Sequence, residues 1–391
     1  MRIVYFLPDV DGGVARVVKN LLQYRPIRND ISYVVVLFRN DAEDRTCINE
    51  SFKADEMIRF SYSPHENAWS VFRRLAKTLR STRDIIVGND GFEIKMVAAL
   101  KLANPVVYIM HGDFDYYYSI VSKYHQVINH CIAISNTIEN KLKVILHSSH
   151  TSNITQLYFP TDSINRPVEK KKSLPFIIVF AGALIERKGA DLLPAIEMFL
   201  GKYISGYKLL IIGDGYLMPD LKKSFDGNCN TEFTGWQMHE VVLKQLENAE
   251  VFLFPSRSEG LPNILLEALG AKAIPVASNL ESGVGDILED GINGLLAETA
   301  DPSSYARAII KLFNDSQLRN SLRDNAENVM FKFEPFRQSA AYEALYLTVY
   351  AQNKVINREY PKYIKGRLLD ESWLPAFVVE TIRKCFSNPK I

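Results

Sequence analysis

Short, uninterrupted apolar runs recur along most of the chain: Ile3–Leu7, Tyr33–Phe38, Ile85–Gly88, Val106–Met110, Cys131–Ser135, Phe176–Ala181, Lys208–Gly213, Val251–Pro255 and Ile274–Ala277. A strand covered by helices on both faces is apolar at nearly every position rather than at alternate ones, so these runs predict buried parallel strands. Between most of them lie stretches with apolar residues at i, i+3 and i+4, such as Val14–Leu22, Ser70–Leu79, Lys95–Leu102, Asp191–Phe199 and Glu240–Asn248. Strand then helix, repeated, predicts the α/β class with parallel sheets. After Asp301 the pattern turns helical throughout, over Ser303–Phe313, Ser316–Phe331 and Pro335–Ala351.

That many strands fit two sheets better than one, and 391 residues at about 150 per domain agree. The polar, Pro-containing and then charged stretch Thr161–Ser173, just before a new apolar strand, predicts the linker. The expected organisation is residues 1–165, residues 166–350, and a helical tail of residues 351–391 that packs back on the first domain.

Charge and cysteine content narrow the functional classes. Forty-six Lys plus Arg oppose forty-five Asp plus Glu, a net charge of +1, so no global field favours nucleic acid and any basic site is local. Cys47, Cys131, Cys229 and Cys385 are far apart, without metal-ligand spacing, which predicts neither disulfide framework nor structural metal. The first apolar run is too short for a signal-peptide core or a membrane span, so the expected location is the cytoplasm. The tail interleaves Arg358, Lys362, Lys365, Arg367, Arg383, Lys384 and Lys390 with Tyr360, Tyr363, Trp373, Phe377 and Phe386. This fits either a packed helix with aromatics inward or a surface lying on anionic lipid at the inner face of the membrane.

The most informative segment is Val251–Gly270. A buried strand enters a turn holding Glu259 and Gly260, then a helix opens near Pro262, where a missing N–H costs nothing. Such a helix start offers free N–H groups and the positive end of a dipole to an anion. Glu267 lies inside that helix, and a carboxylate there suits a ribose diol. Glu259 and Glu267 flank seven residues in the frame Ser-Glu-Gly-Leu-Pro followed by Glu-Ala, and here the chain resembles the group 1, family four glycosyltransferases, retaining enzymes of GT-B fold.

The resemblance implies two Rossmann-like domains whose parallel sheets face an interdomain cleft. It implies that Glu259 holds hydroxyls of the donor sugar, Glu267 holds the ribose, and the backbone of Gly260, Leu261 and Pro262 receives the diphosphate. In Gly182-Ala183-Leu184-Ile185-Glu186-Arg187-Lys188-Gly189, Lys188 matches the family's phosphate-binding lysine. Ala183 stands where the family usually has arginine, and Arg187 is the expected substitute. Gly12-Gly13 resembles the glycine loop before the family's first helix, Gly213 and Gly235-Trp236 resemble its nucleotide-binding frame, and His111 resembles the histidine that reaches the donor sugar.

The implied activity is metal-independent transfer from a UDP-, GDP- or ADP-linked sugar, as substrate rather than cofactor, to a saccharide or lipid-linked acceptor. Cell-surface polysaccharide or glycolipid synthesis is the implied setting. Lys188, Arg187 and the helix start would stabilise charge on the leaving diphosphate. Asp9-Val10-Asp11 and Asp113-Phe114-Asp115 have the form of a divalent-cation motif, but that task is already assigned to cations. Tyr116, Tyr117 and Tyr118 either stack on an acceptor sugar or pack. The competing readings are a sugar-nucleotide epimerase or phosphorylase on a similar fold and a noncatalytic sugar-nucleotide-binding protein.

Overall fold

In the computed structural model, residues 1–44, 46–49, 51–146, 153–161, 175–352, 369 and 372–387 are described. The apolar runs are strands and the periodic stretches are helices, in the order β1 (Arg2–Pro8), α1 (Gly13–Gln23), β2 (Ser32–Asn40), β3 (Glu56–Tyr62), α2 (Ala68–Leu75), β4 (Ile85–Gly88), α3 (Phe92–Leu100), β5 (Val106–Met110), α4 (Asp115–Tyr124), β6 (His130–Ala133), α5 (Asn136–Leu146) and β7 (Ile154–Gln156). The second half continues with β8 (Phe176–Ala181), α6 (Leu193–Tyr203), β9 (Tyr207–Ile212), α7 (Met218–Ser224), β10 (Thr231–Gly235), α8 (His239–Asn248), β11 (Val251–Phe254), α9 (Asn263–Gly270), β12 (Ile274–Ser278), α10 (Val284–Ile287) and β13 (Leu295–Ala297). Four helices follow, α11 (Pro302–Asn314), α12 (Ser316–Met330), α13 (Pro335–Ala351) and α14 (Ala376–Ser387).

The strands form two wholly parallel sheets, in the orders β3-β2-β1-β4-β5-β6-β7 and β10-β9-β8-β11-β12-β13. Central strands are apolar because both their faces are covered: Ile3 to Leu7 of β1 and Val251 to Phe254 of β11 are all buried. Strands outside the predicted runs lie at the margins. β3 alternates between half-buried and exposed positions along an edge, and β7 and β13 are edge strands of three residues. An edge strand has one covered face or too little length, so it writes no continuous apolar run.

The chain divides into two compact units. Met1–Ile134, Ile138–Pro160 and Pro335–Ile391 belong to the first, and Ser135–Thr137 with Thr161–Glu334 to the second. The expected boundary at 165/166 lies outside the described residues, as does the linker from 162 to 173. In the first unit, α13 is held against the sheet by buried tyrosines. Tyr5 donates to the Tyr346 hydroxyl at 3.2 Å, Tyr33 donates to the Glu343 carboxylate, and Tyr342 donates to the Leu157 carbonyl at 3.3 Å. Burial raises the Tyr5, Tyr33, Tyr342 and Tyr346 hydroxyls well above their ordinary value, so they remain donors at any physiological pH. Cys47, Cys131 and Cys229 are free thiols.

Candidate functional site

In the second sheet the strand order reverses between β8 and β11, with β9 and β10 on one side and β12 and β13 on the other. Loops leaving the carboxyl ends of two such strands part toward opposite faces and leave a crevice, the usual ligand site of an open parallel sheet. Both loops carry residues singled out from the sequence. The loop after β8 makes one tight turn at Glu186–Lys188 and passes through Gly189 at φ 70°. A Cβ at Gly189 would stand 2.0 Å from the Pro255 carbonyl oxygen, so this close crossing requires glycine.

The crossing sets the charges of the site. The Lys188 ammonium donates to Glu259 Oε1 at 2.6 Å, and an Arg187 guanidinium nitrogen lies 3.9 Å from the same oxygen while donating to the Ser258 carbonyl at 3.2 Å. Glu259 is buried, Lys188 is half-buried and Arg187 is exposed. Two cations thus face one carboxylate at this crossing. Ala183 is exposed in the same loop, so Arg187 supplies a guanidinium near Glu259 where position 183 supplies none.

Spacing alone did not reveal the clamp that holds the two loops. Arg257 donates through both guanidinium nitrogens to the Asp191 carboxylate, at 2.6 and 2.7 Å, and also to the Glu186 carbonyl, while its backbone N–H donates to the Arg187 carbonyl at 2.8 Å. The fork fixes the turn bearing Arg187 and Lys188 relative to the turn bearing Glu259. Arg257→Ala is therefore expected to lower turnover by about tenfold to a hundredfold through misplacement of Lys188. Steady-state kinetics check this, and partial recovery by the exchange Arg257→Asp with Asp191→Arg would distinguish the clamp from simple loss of a surface cation.

Glu267 lies in α9, buried, and its Oε1 is 2.9 Å from His239 Nε2 at the start of α8. His239 was not singled out from the sequence, because its partner is 28 positions away and nothing local marks it. Pro262 is the residue immediately before α9, and no side chain caps that helix end, so the first N–H groups remain open to an anion. Leu261 is buried beneath the turn, and Gly260 accepts a backbone hydrogen bond from Gly283 at 2.7 Å. Gly213 has φ 136°, and a Cβ on it would stand 1.9 Å from the Gly182 carbonyl oxygen. Its N–H donates to the Gly235 carbonyl at 2.9 Å, so the ends of β8, β9 and β10 form a shelf of bare backbone, beside which Trp236 is exposed.

The first unit places its own candidates at strand ends. Gly12 precedes α1 and Gly13 is its first residue, and a Cβ on Gly12 would meet nothing within 4 Å. His111 follows β5, its ring stacked on Phe159 at 5.4 Å between centroids. Its Nε2 is 2.8 Å from Asn89 Oδ1, while the Asn89 amide nitrogen donates to the Phe6 and Val87 carbonyls. That arrangement makes Asn89 Oδ1 an acceptor, so His111 carries its proton on Nε2 and leaves Nδ1 as a buried acceptor without a partner among the described residues. Asn89 directly follows β4, a strand-end position that would have been the signal for it.

Burial pushes the His111 imidazole down to about 3. The unfolded chain protonates this group near 6.5, so between about pH 3 and 6.5 the unfolded state binds more protons. Stability contributed by neutral His111 is thus complete above about pH 6.5 and is lost as pH falls below it. His111→Gln is expected to flatten the rise in unfolding free energy between pH 5 and 7, measured by urea titration at each pH.

The two acidic motifs are engaged within the first unit. Asp9 is buried, pairs with Arg59 and accepts the Ile48 N–H at 3.0 Å. Asp113 accepts from the Tyr118 hydroxyl at 2.6 Å and from the Lys141 ammonium at 2.7 and 2.9 Å. Tyr117 packs on Tyr108, and Tyr116 packs edge-on to Tyr117 with its ring partly exposed. Among the described residues no group of three His, Cys, Asp or Glu side chains is placed to hold a metal ion.

Residues 162–329 match the family model of glycosyl transferases group 1. An uncharacterised glycosyltransferase of Methanocaldococcus jannaschii is 30% identical over 158 residues, 40% of this chain and 43% of that protein. An α-1,4-N-acetyl-D-galactosaminyltransferase of Campylobacter jejuni, named for an undecaprenol-diphosphate-linked acceptor, is 23% identical over 357 residues, 85% of this chain and 95% of that protein. The chain thus spans less than half the length of the first relative and nearly all of the second. Among solved structures, Anabaena HepE in complex with UDP and glucose superposes with TM-score 0.70 at 16% identity, over 89% of this chain and 99% of that one. The fold is GT-B, two parallel-sheet α/β domains, and the matches support a group 1 glycosyltransferase.

Proposed function

We propose that the chain is a retaining glycosyltransferase that moves a sugar from a nucleotide sugar to a saccharide or lipid-linked saccharide in the assembly of a cell-surface polysaccharide or glycolipid. The observation that carries the reading is the Lys188–Glu259 pair at 2.6 Å, with Arg187 beside it, at the strand-order reversal of the second sheet. Glu267 takes the ribose, the Gly213–Gly235 shelf and Trp236 take the base, and Gly260, Leu261, Pro262 and the open start of α9 take the diphosphate. Glu259 positions the sugar. His111, in the first unit, keeps a bare Nδ1 that can accept from a sugar hydroxyl.

Departure of the sugar leaves negative charge on the diphosphate, and Lys188, Arg187 and the helix start are fixed donors aimed at that charge. No divalent cation is needed for that step. Retention follows if the leaving phosphate oxygen itself takes the acceptor's proton on the face where the new bond forms. A UDP-, GDP- or ADP-linked sugar suits the chemistry of this site equally, and all three belong in the test. The acceptor class draws support from the undecaprenol-diphosphate-linked acceptor for which the Campylobacter relative is named, and the reading places the work at the cytoplasmic face of the membrane. No helix among the described residues is long and apolar enough to cross a membrane.

Melting temperature with a panel of UDP-, GDP- and ADP-sugars in EDTA tests the reading, since a ligand that binds only the native state raises it. One nucleotide class is expected to stabilise the protein. Stabilisation by none would remove the donor site. Binding without turnover would favour a noncatalytic nucleotide-sugar-binding protein, and turnover without any acceptor would favour an epimerase.

A further inference from the structure

The two readings of the C-terminal tail differ in where its aromatics point. Arg358, Tyr360, Lys362, Tyr363, Lys365, Arg367 and Lys390 lie outside the described residues, as does the Phe386 side chain, but Trp373 and Phe377 do not. They are 75% and 71% exposed, whereas Val379 on the other side of α14 is fully buried. The aromatics point outward, so the inward-packed reading fails for them. Phe377, Thr381 and Lys384 follow one another at helical spacing along α14, Trp373 lies in the turn just before it, and all four are exposed.

The covered side of this segment rests on α2 in the same unit. Arg383 donates to the Glu66 carbonyl at 2.7 Å, Asn67 donates to the Leu369 carbonyl at 3.3 Å, and Arg73 donates to the Ser372 carbonyl at 3.2 Å. The higher-numbered end of α14 thus meets the start of α2, and residue 372 meets its last turn. Arg73, Lys77 and Arg83, in α2 and the turns after it, are exposed and make no ion pair among the described residues. The neighbouring Arg74 and Arg80 are held by Glu66 and Glu56. In a chain of net charge +1, this face gathers unpaired cations beside two exposed large aromatic rings.

We infer that α2 and the segment from Trp373 through α14 form one docking surface for anionic membrane lipid. Trp373 and Phe377 enter the headgroup layer, and Arg73, Lys77 and Arg83 meet lipid phosphates, while Lys384 is held by the Glu380 carboxylate at 2.7 Å. The cations stand on long side chains with few fixed partners, which suits a fluid anionic surface better than the fixed geometry of a folded protein partner. The inference deepens the membrane element of the proposed function, but its test requires neither donor nor acceptor.

The full chain is sedimented with vesicles of phosphatidylglycerol and phosphatidylcholine, and with vesicles of phosphatidylcholine alone. Binding is expected only to the anionic vesicles, and it weakens with added salt. Lys77→Ala with Arg83→Ala reduces the partition by about 25-fold, at about fivefold per cation. Trp373→Ala with Phe377→Ala reduces it by about tenfold or more. All four side chains are exposed, and an unchanged nucleotide-sugar shift in melting temperature shows that the fold and the second unit are intact. If the wild type shows no such shift, the transferase reading fails while the vesicle result stands by itself. Absence of sedimentation, equal binding to neutral vesicles, or variants that bind like the wild type would overturn the inference. So would a lipid-free dimer that dissociates in Trp373→Ala with Phe377→Ala.

Discussion

Lys188→Met lowers the turnover of sugar transfer by about a hundredfold to a thousandfold, the loss typical of removing one donor aimed at developing negative charge. The Lys188 ammonium is held by Glu259 at 2.6 Å, close to where the leaving diphosphate is assigned. Arg187 is already bonded to the Ser258 carbonyl and stands 3.9 Å from Glu259, so it retains part of the stabilisation. The substitution has a second effect, because it leaves the buried Glu259 carboxylate without its close partner, and the melting temperature also falls. Lys188→Met combined with Glu259→Gln separates the two. The neutral pair recovers stability, while turnover remains low. Kinetics and melting curves on the same three proteins give both readings.

The second large effect falls on binding. Glu267→Ala weakens the preferred nucleoside diphosphate by about 10- to 150-fold, since hydrogen bonds to a charged group are worth about 1.5–3 kcal/mol. Glu267 is buried, with one oxygen on His239 at 2.9 Å. A side chain fixed in this way loses little freedom when it takes a ribose diol, and the truncated residue offers no replacement. His239→Ala leaves the carboxylate present but less constrained, so its effect is smaller than that of Glu267→Ala. Calorimetry with the nucleoside diphosphate chosen by the melting panel measures both, and equal affinity in Glu267→Ala and wild type would remove the ribose role.

How far the sequence foretold the structure depended on whether a signal was local. Ile3–Leu7 and Val251–Pro255 announced themselves as strands because every side chain in a doubly covered strand must be apolar. β3 did not, because its open face lets polar residues alternate with apolar ones. At the site, Lys188, Glu259 and Glu267 were legible from short motifs, each of which encodes a strand end or helix start. Their mutual geometry was not. The Arg257–Asp191 fork joins residues 66 apart and the His239–Glu267 contact joins residues 28 apart; the first exists only once β8 and β11 lie side by side, the second only once α8 packs on α9. Asn89 was hidden in the same way, since its meaning lies in the ring of His111 that it orients. In the tail, composition gave the cations and aromatics, but only the packing of Val379 and Arg383 shows that Trp373 and Phe377 face outward.

The central claim is that the leaving diphosphate is stabilised by Lys188, Arg187 and the start of α9 during transfer with retention. The most direct test follows turnover of the preferred nucleotide sugar in EDTA with a mixture of saccharide acceptors, and reads the anomeric configuration of the newly formed glycoside by NMR. The account predicts that nucleoside diphosphate release continues in EDTA and that the product keeps the donor's configuration. Turnover abolished by EDTA and restored by a divalent cation, or a product of inverted configuration, would contradict it.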